Sequence, residues 1–313
     1  MTEQSPAARA LPALLLVGVI WGSSFLFIEV LTEETGATEV VTGRLFFGML
    51  AIGGYMLATR QRVPLAPKLL AQVSVLAVLS NIIPFALISW AQEHIESGTA
   101  AVLNATMPVF TSVFAAALLQ EERFTLPRVF GLVLAVCGVA VLTGDGVTDI
   151  TDSSVLGQLA VVLAAMCYGL GAVYSRNLLA TNEPIGLSIL QVTIACILSV
   201  PLMLAVTGGA PTYSLSAEAW ASLLALGILG TGVAYVLYLW LIEQVGSVRA
   251  SLVTYIIPIV AVFLGWAVLD ETVGLNTILG GLLIVAGVAS VLRGQVPTRD
   301  RAEDMPTSPT PSS

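Results

Sequence analysis

Arg44 is a cation within a mostly apolar stretch of the sequence, and its guanidinium could hold a carboxylate by two parallel hydrogen bonds. It lies about six positions, or roughly 9 Å, from the end of the helix that this stretch predicts. From there it could also extend to water or pair with Glu29, Glu93 or Glu96. Two interpretations therefore stay open, a binding site for anions and a structural ion pair.

Other polar and aromatic residues also lie inside apolar stretches, where an unpaired polar group is costly and marks a candidate ligand contact. Asn104 and Pro108 are four residues apart, and Thr254 and Pro258 repeat this arrangement. Proline frees the carbonyl one turn earlier, so each pair exposes a polar backbone group, unless the prolines only bend helices for packing. The predicted substrate-binding residues are Trp21, Ser24, Arg44, Asn81, Asn104, Pro108, Tyr168, Gln191, Thr231, Tyr235, Thr254 and Pro258.

The sequence contains few residues that suit catalysis or metal binding. Cys137, Cys167 and Cys196 lack metal-ligand spacing, and His94 is the single histidine. Every acid maps to a loop or to the end of an apolar stretch, and Glu29 is the best candidate for proton coupling. We therefore expect no catalytic residues, no metal, no cofactor and no enzyme activity, although a membrane hydrolase that uses serine or paired carboxylates is harder to exclude.

The elements that must position these residues are membrane-spanning helices. Of the 313 residues, 57% are hydrophobic and only 10% are charged, and the mean hydropathy is +0.93. A soluble domain typically contains about 25% charged residues, so this composition indicates an integral membrane protein. Because a span needs about 20 apolar residues, we predict ten spans, at residues 11–30, 38–58, 69–90, 97–119, 126–143, 155–175, 184–206, 218–240, 247–269 and 274–292.

The two halves of the sequence repeat each other at an offset of 150 residues. Trp90, Glu93, Ser97, Ala100, Pro108, Glu121, Gly131 and Leu142 recur as Trp240, Glu243, Ser247, Ala250, Pro258, Glu271, Gly281 and Leu292. Arg44 corresponds, at a local offset of 147, to the neutral Gln191. Five spans in each half make the second half enter the membrane from the opposite side. The predicted fold is an all-α integral membrane protein with ten transmembrane helices in two inverted five-helix repeats.

The distribution of charge supports this topology. With the N-terminus inside, eleven of the twelve Lys and Arg residues lie in inner segments, and the twelfth is Arg44. We therefore predict that both chain ends are cytoplasmic. The net charge of −8 comes largely from the outer loops and the tail, and there is no basic patch for nucleic acid. The outer acids are Glu29, Glu33, Glu34, Glu39, Glu93, Glu96, Asp145, Asp149, Asp152, Glu218, Asp270 and Glu271.

Several residues receive structural interpretations. Glycines seven residues apart in the fifth and tenth spans predict close helix packing. The acidic turns before those spans predict helix starts and the geometry of gating loops rather than substrate contacts. Aromatic residues near span ends predict anchors at the membrane surface. The glycines are Gly131, Gly138, Gly280 and Gly287, the acidic turns are Glu121-Glu122 and Asp270-Glu271, and the aromatic anchors are Trp90, Tyr174, Tyr238 and Trp240.

Short motifs in both halves carry a family resemblance. They are Trp21-Gly22-Ser23-Ser24-Phe25, Arg44, Asn104, Pro108, Glu121-Glu122-Arg123, Gly131 and Gly138 in the first half, and Pro258, Asp270-Glu271, Gly280-Gly281 and Gly287 in the second. These motifs resemble the EamA family of the drug/metabolite transporter superfamily over residues 11–292. The resemblance implies a bacterial inner-membrane carrier, of a kind mostly associated with export of amino acids and other small metabolites.

The expected organisation follows from the spans and the resemblance. Residues 1–10 form a cytoplasmic N-terminus, 11–143 the first EamA-like repeat, 144–154 an outer linker, 155–292 the second repeat and 293–313 a disordered cytoplasmic tail. The first apolar run is expected to be a retained helix rather than a signal peptide.

The predicted function is a secondary transporter that exports amino acids or related small metabolites by alternating access at a midplane cavity. A multidrug exporter, with a wider, aromatic and acidic cavity, is one alternative. A channel for small polar solutes, with polar rings along a continuous pore, is another. The expected partners are a small-molecule substrate and the lipid bilayer, with no nucleic acid, in a monomer or homodimer. The particular solute, the direction of transport and the energy coupling stay open.

Overall fold

The computed structural model describes residues 6–60, 65–119, 125–143, 152–209 and 214–293, and these residues form helices and no strands. The Glu121-Glu122-Arg123 turn, most of the predicted linker and nearly all of the predicted tail lie outside the described residues. The helices are α1 (Pro6–Thr32), α2 (Ala37–Thr59), α3 (Pro67–Ala77), α4 (Ile83–Ala91), α5 (Ser97–Asn104), α6 (Met107–Leu118), α7 (Leu126–Thr143), α8 (Ser153–Leu179), α9 (Pro184–Thr207), α10 (Ala217–Ala225), α11 (Ala234–Val245), α12 (Ser247–Ala250), α13 (Ile256–Val268) and α14 (Leu275–Arg293).

Eight helical segments of the described chain are long and apolar enough to cross a membrane, so the protein is an all-helical, multi-pass membrane protein. The other two predicted spans, 126–143 and 274–292, contain only the shorter apolar segments Val129–Thr143 and Leu275–Ser290. With 18 residues, α7 is about 27 Å long, slightly less than the hydrocarbon core of about 30 Å. Helix length alone therefore does not establish the predicted count of ten.

Two of the spanning segments are interrupted by π-helical turns at equivalent places in the repeat. The first π-turn, Val78–Ile82, joins α3 to α4, and the second π-turn, Leu226–Val233, joins α10 to α11. The amide of Ile83 bonds to the carbonyl five residues earlier, and the amide of Ala234 does the same. Such turns frequently mark functional sites in helices.

The two predicted proline interruptions are also present. The helix α5 ends at Asn104, and α6 begins three residues later, directly before Pro108. In the second half a 3₁₀ turn, Ser251–Tyr255, separates α12 from α13, whose third residue is Pro258. A proline cannot donate to the carbonyl four residues earlier, which explains why both segments change pitch at these points.

The helices α7 and α14 pack directly on each other through glycine. A Cβ atom on Gly138 would lie 2.8 Å from the carbonyl oxygen of Gly280, and one on Gly287 would lie 2.6 Å from that of Gly131. The predicted packing role of these glycines is confirmed, because the two backbones are too close for a side chain. Elsewhere α1 packs against α13, α8 packs against α6, and α2 packs against α9 and the second π-turn.

Acidic loop residues cap the N-termini of helices at one end of the bundle. The Glu34 carboxylate accepts hydrogen bonds from the amide and hydroxyl of Ser216, directly before α10, and these bonds hold the pKa of Glu34 below its usual range. Glu93 accepts from the amide of Ala37, the first residue of α2. The first amides of a helix lack partners within the helix and carry positive partial charge, so a carboxylate stabilises them.

The prediction that Glu271 starts the tenth helix is wrong, because Glu271 caps α5. Its carboxylate accepts from the amides of Ser97, over 2.9 Å, and Gly98, over 3.1 Å. The preceding residue, Asp270, has a φ of 55°, and this left-handed turn lies between the end of α13 and Glu271. The sequence correctly indicated a helix cap but not the helix that receives it.

We expect Glu271→Ala to destabilise the protein by about 0.5–2 kcal/mol, the usual effect of losing a helix cap. Thermal unfolding in detergent measures this change. The matched control is Glu33→Ala, which removes an exposed acid at the same end whose carboxylate caps no described helix. Equal melting temperatures for the two variants would contradict the capping role.

Candidate functional site

A cavity of about 70 Å³ lies between helices of both halves, and no residue of its lining is exposed. Eight of the twelve predicted site residues line it, namely Trp21, Ser24, Arg44, Asn104, Tyr168, Gln191, Tyr235 and Thr254. The other four, Asn81, Pro108, Thr231 and Pro258, are buried but do not line it. The interruptions of the helices thus lie beside the cavity.

Arg44 is only 4% exposed and is held by two contacts. Its Nε donates to the hydroxyl of Thr231 over 3.1 Å, and its Cζ lies 3.6 Å from the centre of the Phe85 ring in cation–π geometry. Within the described chain Arg44 has no carboxylate partner, and Glu29 instead accepts a hydrogen bond from Gln92. A buried guanidinium without an acid is costly, so this geometry favours an anion site over a structural ion pair.

Gln191, which corresponds to Arg44 in the repeat, makes the equivalent hydrogen bond. Its Nε2 donates to Oδ1 of Asn81 over 2.6 Å, and Asn81 is the counterpart of Thr231. Arg44 and Gln191 are thus each bonded to a π-turn residue from the other half of the chain. The two sides of the cavity have the same framework but differ in charge.

Aromatic residues form one wall of the cavity. The indole Nε1 of Trp21 donates to the carbonyl of Gly230 in the second π-turn over 2.9 Å. The centroid of the Trp21 ring lies 4.8 Å from the centroid of the Tyr238 ring and 5.9 Å from that of the Tyr235 ring. Tyr235 donates its hydroxyl to the carbonyl of Ser80 in the first π-turn. This wall therefore ties α1, α11 and both π-turns together.

The prediction that Tyr238 anchors the protein at the membrane surface is wrong, since Tyr238 is 7% exposed and lines the cavity. The available signal was its position three residues after Tyr235, which places both side chains on one helix face. Phe85, which covers Arg44, was missed because an aromatic residue in an apolar stretch carries no signal of its partner.

Several polar atoms of the lining have no hydrogen-bond partner among the described residues. They include Oδ1 of Asn104, Oε1 of Gln191 and the hydroxyl of Tyr238. Each such buried atom costs about 1–3 kcal/mol, which a ligand that donates hydrogen bonds would recover. The hydroxyls of Ser24 and Thr254 donate to carbonyls of their own helical segments, so each oxygen can still accept a hydrogen bond.

The lining residues are related to one another by the repeat. With offsets of 147 in the earlier helices and 150 in the later ones, eighteen of the twenty-one lining residues form nine pairs. The two halves therefore contribute almost equally to the cavity, with eleven and ten lining residues. The pairs are Trp21 with Tyr168, Ser24 with Gly171, Phe25 with Ala172, Ile28 with Ser175, Arg44 with Gln191, Phe85 with Tyr235, Ile88 with Tyr238, Asn104 with Thr254, and Met107 with Ile257.

Glu29, the predicted proton-coupling residue, lies beside the cavity but does not line it. It is half-buried near the end of α1 and accepts a hydrogen bond from Nε2 of Gln92 over 2.9 Å. The same Gln92 nitrogen donates to the carbonyl of Phe25, whose side chain does line the cavity. One amide group therefore connects Glu29 to the cavity wall.

The two halves of the chain each match the model of the EamA-like transporter family, over residues 8–144 and 155–293. The chain belongs to this family. Together the two matches include every residue that lines the cavity. The site described above is therefore built wholly within the EamA-like part of the protein.

Curated relatives carry transporter names. The chain is 24% identical to "Uncharacterized transporter YoaV" of Bacillus subtilis (strain 168), over 90% of this chain and 95% of the relative. It is 27% identical to "Probable terminal-alkyne amino-acid exporter" of Streptantibioticus cattleyicolor, over 94% and 97%. It is also 26% identical to "Uncharacterized inner membrane transporter YedA" of Escherichia coli (strain K12), over 90% of each chain. The protein is therefore a membrane transporter by family and by relatives.

A solved crystal structure has the same fold. It aligns with a TM-score of 0.65 over 90% of this chain and 97% of the other, at 18% sequence identity. At this identity the likeness concerns the fold alone.

Proposed function

We propose that this EamA-family protein is an inner-membrane secondary transporter that exports amino acids or related small metabolites bearing a carboxylate. The observation that carries the proposal is the buried guanidinium of Arg44, which lines the cavity without an acidic partner in the described chain. A substrate carboxylate would supply the missing negative charge through a two-pronged hydrogen bond. The name of the S. cattleyicolor relative, a probable amino-acid exporter, supports the same substrate class.

The rest of the lining suits the other parts of an amino acid. Oδ1 of Asn104 and Oε1 of Gln191 are acceptors without partners in the described chain, and they would receive the N–H groups of an ammonium. Most of the remaining lining is aromatic or aliphatic, as in Phe25, Ile28 and Met107. A neutral, apolar substrate side chain would fit this surface without leaving a polar group unpaired.

The proposed architecture is ten helices in two inverted repeats, with the repeats at 11–143 and 155–292. The nine related pairs in the lining support two equivalent halves around one site. Helix packing supports them too, because α1 against α13 has its counterpart in α8 against α6. Five helices per half give the halves opposite orientations, and the excess of Lys and Arg in one set of loops supports cytoplasmic chain ends.

The proposed mechanism is alternating access, in which the halves move against each other around the central site. The cavity of about 70 Å³ is much smaller than the roughly 300–1,000 Å³ of typical small-molecule pockets. Substrate entry therefore requires the helices to separate. The proline interruptions beside Asn104 and Thr254 are suitable hinges, since the backbone there already departs from regular α-helix.

Uptake of a labelled neutral amino acid into proteoliposomes tests the proposal directly. Unlabelled amino acids are added as competitors, and each is matched with its carboxamide and with the amine that lacks the carboxyl group. We expect only the competitors with a free carboxylate to inhibit strongly. Equal inhibition by carboxamides and amines would overturn the assignment of Arg44 as the carboxylate site.

The two alternatives receive less support from the cavity. A multidrug exporter for cations would benefit from a lining acid, and Arg44 is instead the charged residue of the lining. A channel requires a continuous polar pore, whereas most residues of this lining are apolar and none is exposed. Planar-bilayer recordings that show conductance would favour the channel.

Glu29 is the proposed site of proton coupling, since it is connected to the cavity wall through Gln92. We expect Glu29→Gln to abolish the stimulation of transport by a pH gradient while exchange without a gradient continues, because a glutamine cannot release a proton. Transport at equal and at unequal pH measures both activities. The control is Glu33→Gln, an exposed acid four residues later. Unchanged gradient dependence in Glu29→Gln would remove Glu29 from the mechanism.

A further inference from the structure

We infer that the two π-turns serve to aim Thr231 and Asn81 at the two matched side chains of the cavity, Arg44 and Gln191, and thereby set the orientation of the substrate. Thr231 and Asn81 are then positioning residues rather than substrate contacts, because neither lines the cavity. The effect on the substrate rests on the function proposed above, whereas the positioning itself does not.

The second π-turn gives the hydroxyl of Thr231 its direction. Thr231 donates this hydroxyl to the carbonyl of Leu226, five residues earlier, over 3.3 Å. A hydroxyl has one proton and two lone pairs, so the oxygen faces Arg44 as an acceptor and receives its Nε–H over 3.1 Å. In a regular α-helix each residue advances by about 100° around the helix axis. Removal of the extra π-turn residue would therefore rotate the side chain of Thr231 away from Arg44.

The first π-turn makes the matching contact. Asn81 accepts the Nε2 proton of Gln191, and its own neighbour Ser80 accepts the hydroxyl proton of Tyr235. The Ser80 carbonyl is available because the residue four positions later is Pro84, which has no N–H. Asn81 accepts with its side chain and Ser80 with its carbonyl. In the repeat they correspond to Thr231 and Gly230, the two acceptors of the second π-turn.

In the second π-turn it is the Gly230 carbonyl that lacks the usual bond from the amide four residues later, and the reason is different. The amide of Ala234 bonds to Leu229 instead of Gly230, and the Gly230 carbonyl accepts from Trp21. A Cβ on Gly230 would lie 2.9 Å from the hydroxyl of Ser24, so α1 approaches this turn closely. Each π-turn therefore offers one side-chain acceptor and one carbonyl acceptor to residues of the cavity.

As a result, the two ends of the cavity, which correspond to each other in the repeat, bind different chemical groups. The Nε of Arg44 is occupied by Thr231 and one face of the guanidinium by Phe85, which leaves the terminal nitrogens for a carboxylate. At the other end Gln191 uses its nitrogen on Asn81, which leaves its oxygen as an acceptor for an ammonium. The substrate carboxylate is therefore directed to the end near Thr231 and its ammonium to the end near Asn81.

A double-mutant cycle tests the positioning contact without any substrate. Thermal and denaturant unfolding are compared for the unmodified protein, Thr231→Val, Arg44→Met and the double variant. Valine has the shape of threonine without its hydroxyl, so we expect about a tenfold change in the unfolding constant from Thr231→Val when Arg44 is present, and little when it is absent. An equal effect of Thr231→Val in both backgrounds would overturn the inference.

Transport kinetics test the effect on the substrate. With L-leucine as probe, we expect Thr231→Val to raise KM about tenfold at nearly unchanged kcat, and Thr231→Ser, which keeps the hydroxyl, to restore it. L-leucinamide, tested as an inhibitor, should bind the unmodified protein and Thr231→Val equally. A KM that rises equally in Thr231→Ser would overturn the role of the hydroxyl.

The two tests separate this inference from the proposed function. If the cycle reveals coupling but the protein transports no amino acid, the proposed function fails and the positioning contact stands. If the protein transports L-leucine and the cycle reveals no coupling, the proposed function stands and the positioning role fails.

Discussion

Replacement of Arg44 by glutamine is expected to lower kcat/KM for a carboxylate-bearing substrate by about a hundredfold, the effect of losing one partner of a buried, hydrogen-bonded charge pair. This substitution gives the cavity a glutamine at both ends, one in place of Arg44 and the other at Gln191. A glutamine keeps a hydrogen-bond donor near Thr231 but supplies neither positive charge nor a two-pronged donor. Transport of the labelled amino acid into proteoliposomes measures the loss.

Two further variants make this result specific. Arg44→Lys keeps the charge but loses the planar fork and its stacking on Phe85, so we expect an intermediate loss of about tenfold. Arg60→Gln removes an exposed cation just beyond the end of α2 and is expected to leave kcat/KM unchanged. The thermal stability of Arg44→Gln should not fall greatly, because the substitution removes an unpaired buried charge. Full activity of Arg44→Gln would refute the anion site.

The substitution Gly48→Leu is expected to destabilise the protein by about 3 kcal/mol or more, which is the upper range for overpacking of a close interface. A Cβ on Gly48 would lie 2.7 Å from Cγ2 of Thr231 and 3.1 Å from the carbonyl of Gly227. The backbone oxygen cannot move without displacing the second π-turn. The position of Thr231, and with it the contact to Arg44, depends on this approach between α2 and the π-turn.

The matched control is Gly54→Leu, which makes the same change in the same helix. No atom lies within 4 Å of a Cβ on Gly54, so the side chain would extend into open space, and leucine favours helix over glycine by up to about 1 kcal/mol. Size-exclusion chromatography and thermal unfolding in detergent compare the two variants. We expect loss of the folded, monodisperse protein for Gly48→Leu alone, and equal behaviour of both variants would contradict the close approach.

The repeat explains why Arg44 depends on its hydrogen bond to Thr231 in the second π-turn. A duplicated protein begins with the same residue at both ends of its cavity, and a substrate with unlike ends binds more specifically when those residues differ. In this cavity the hydrogen bonds to the π-turns are alike, while the side chains that make them, Arg44 and Gln191, are not. The framework and the specificity are therefore carried by different residues.

The sequence by itself determined the membrane class, most of the spans, the repeat and the interruptions at Pro108 and Pro258. These features depend on hydrophobic length and on hydrogen bonds within one helix, which are local properties. The sequence also indicated eight of the residues that line the cavity, because a polar residue in an apolar helix needs a reason to be there.

Only the tertiary structure decided which residues meet. The partners of Arg44 are 187 and 41 positions away, at Thr231 and Phe85, and the helix that Glu271 caps begins 174 positions earlier. Such contacts depend on how each helix is rotated about its axis, and one additional residue in a π-turn changes that rotation. A pattern of spacing along one helix does not contain this information, since it arises only when neighbouring helices pack.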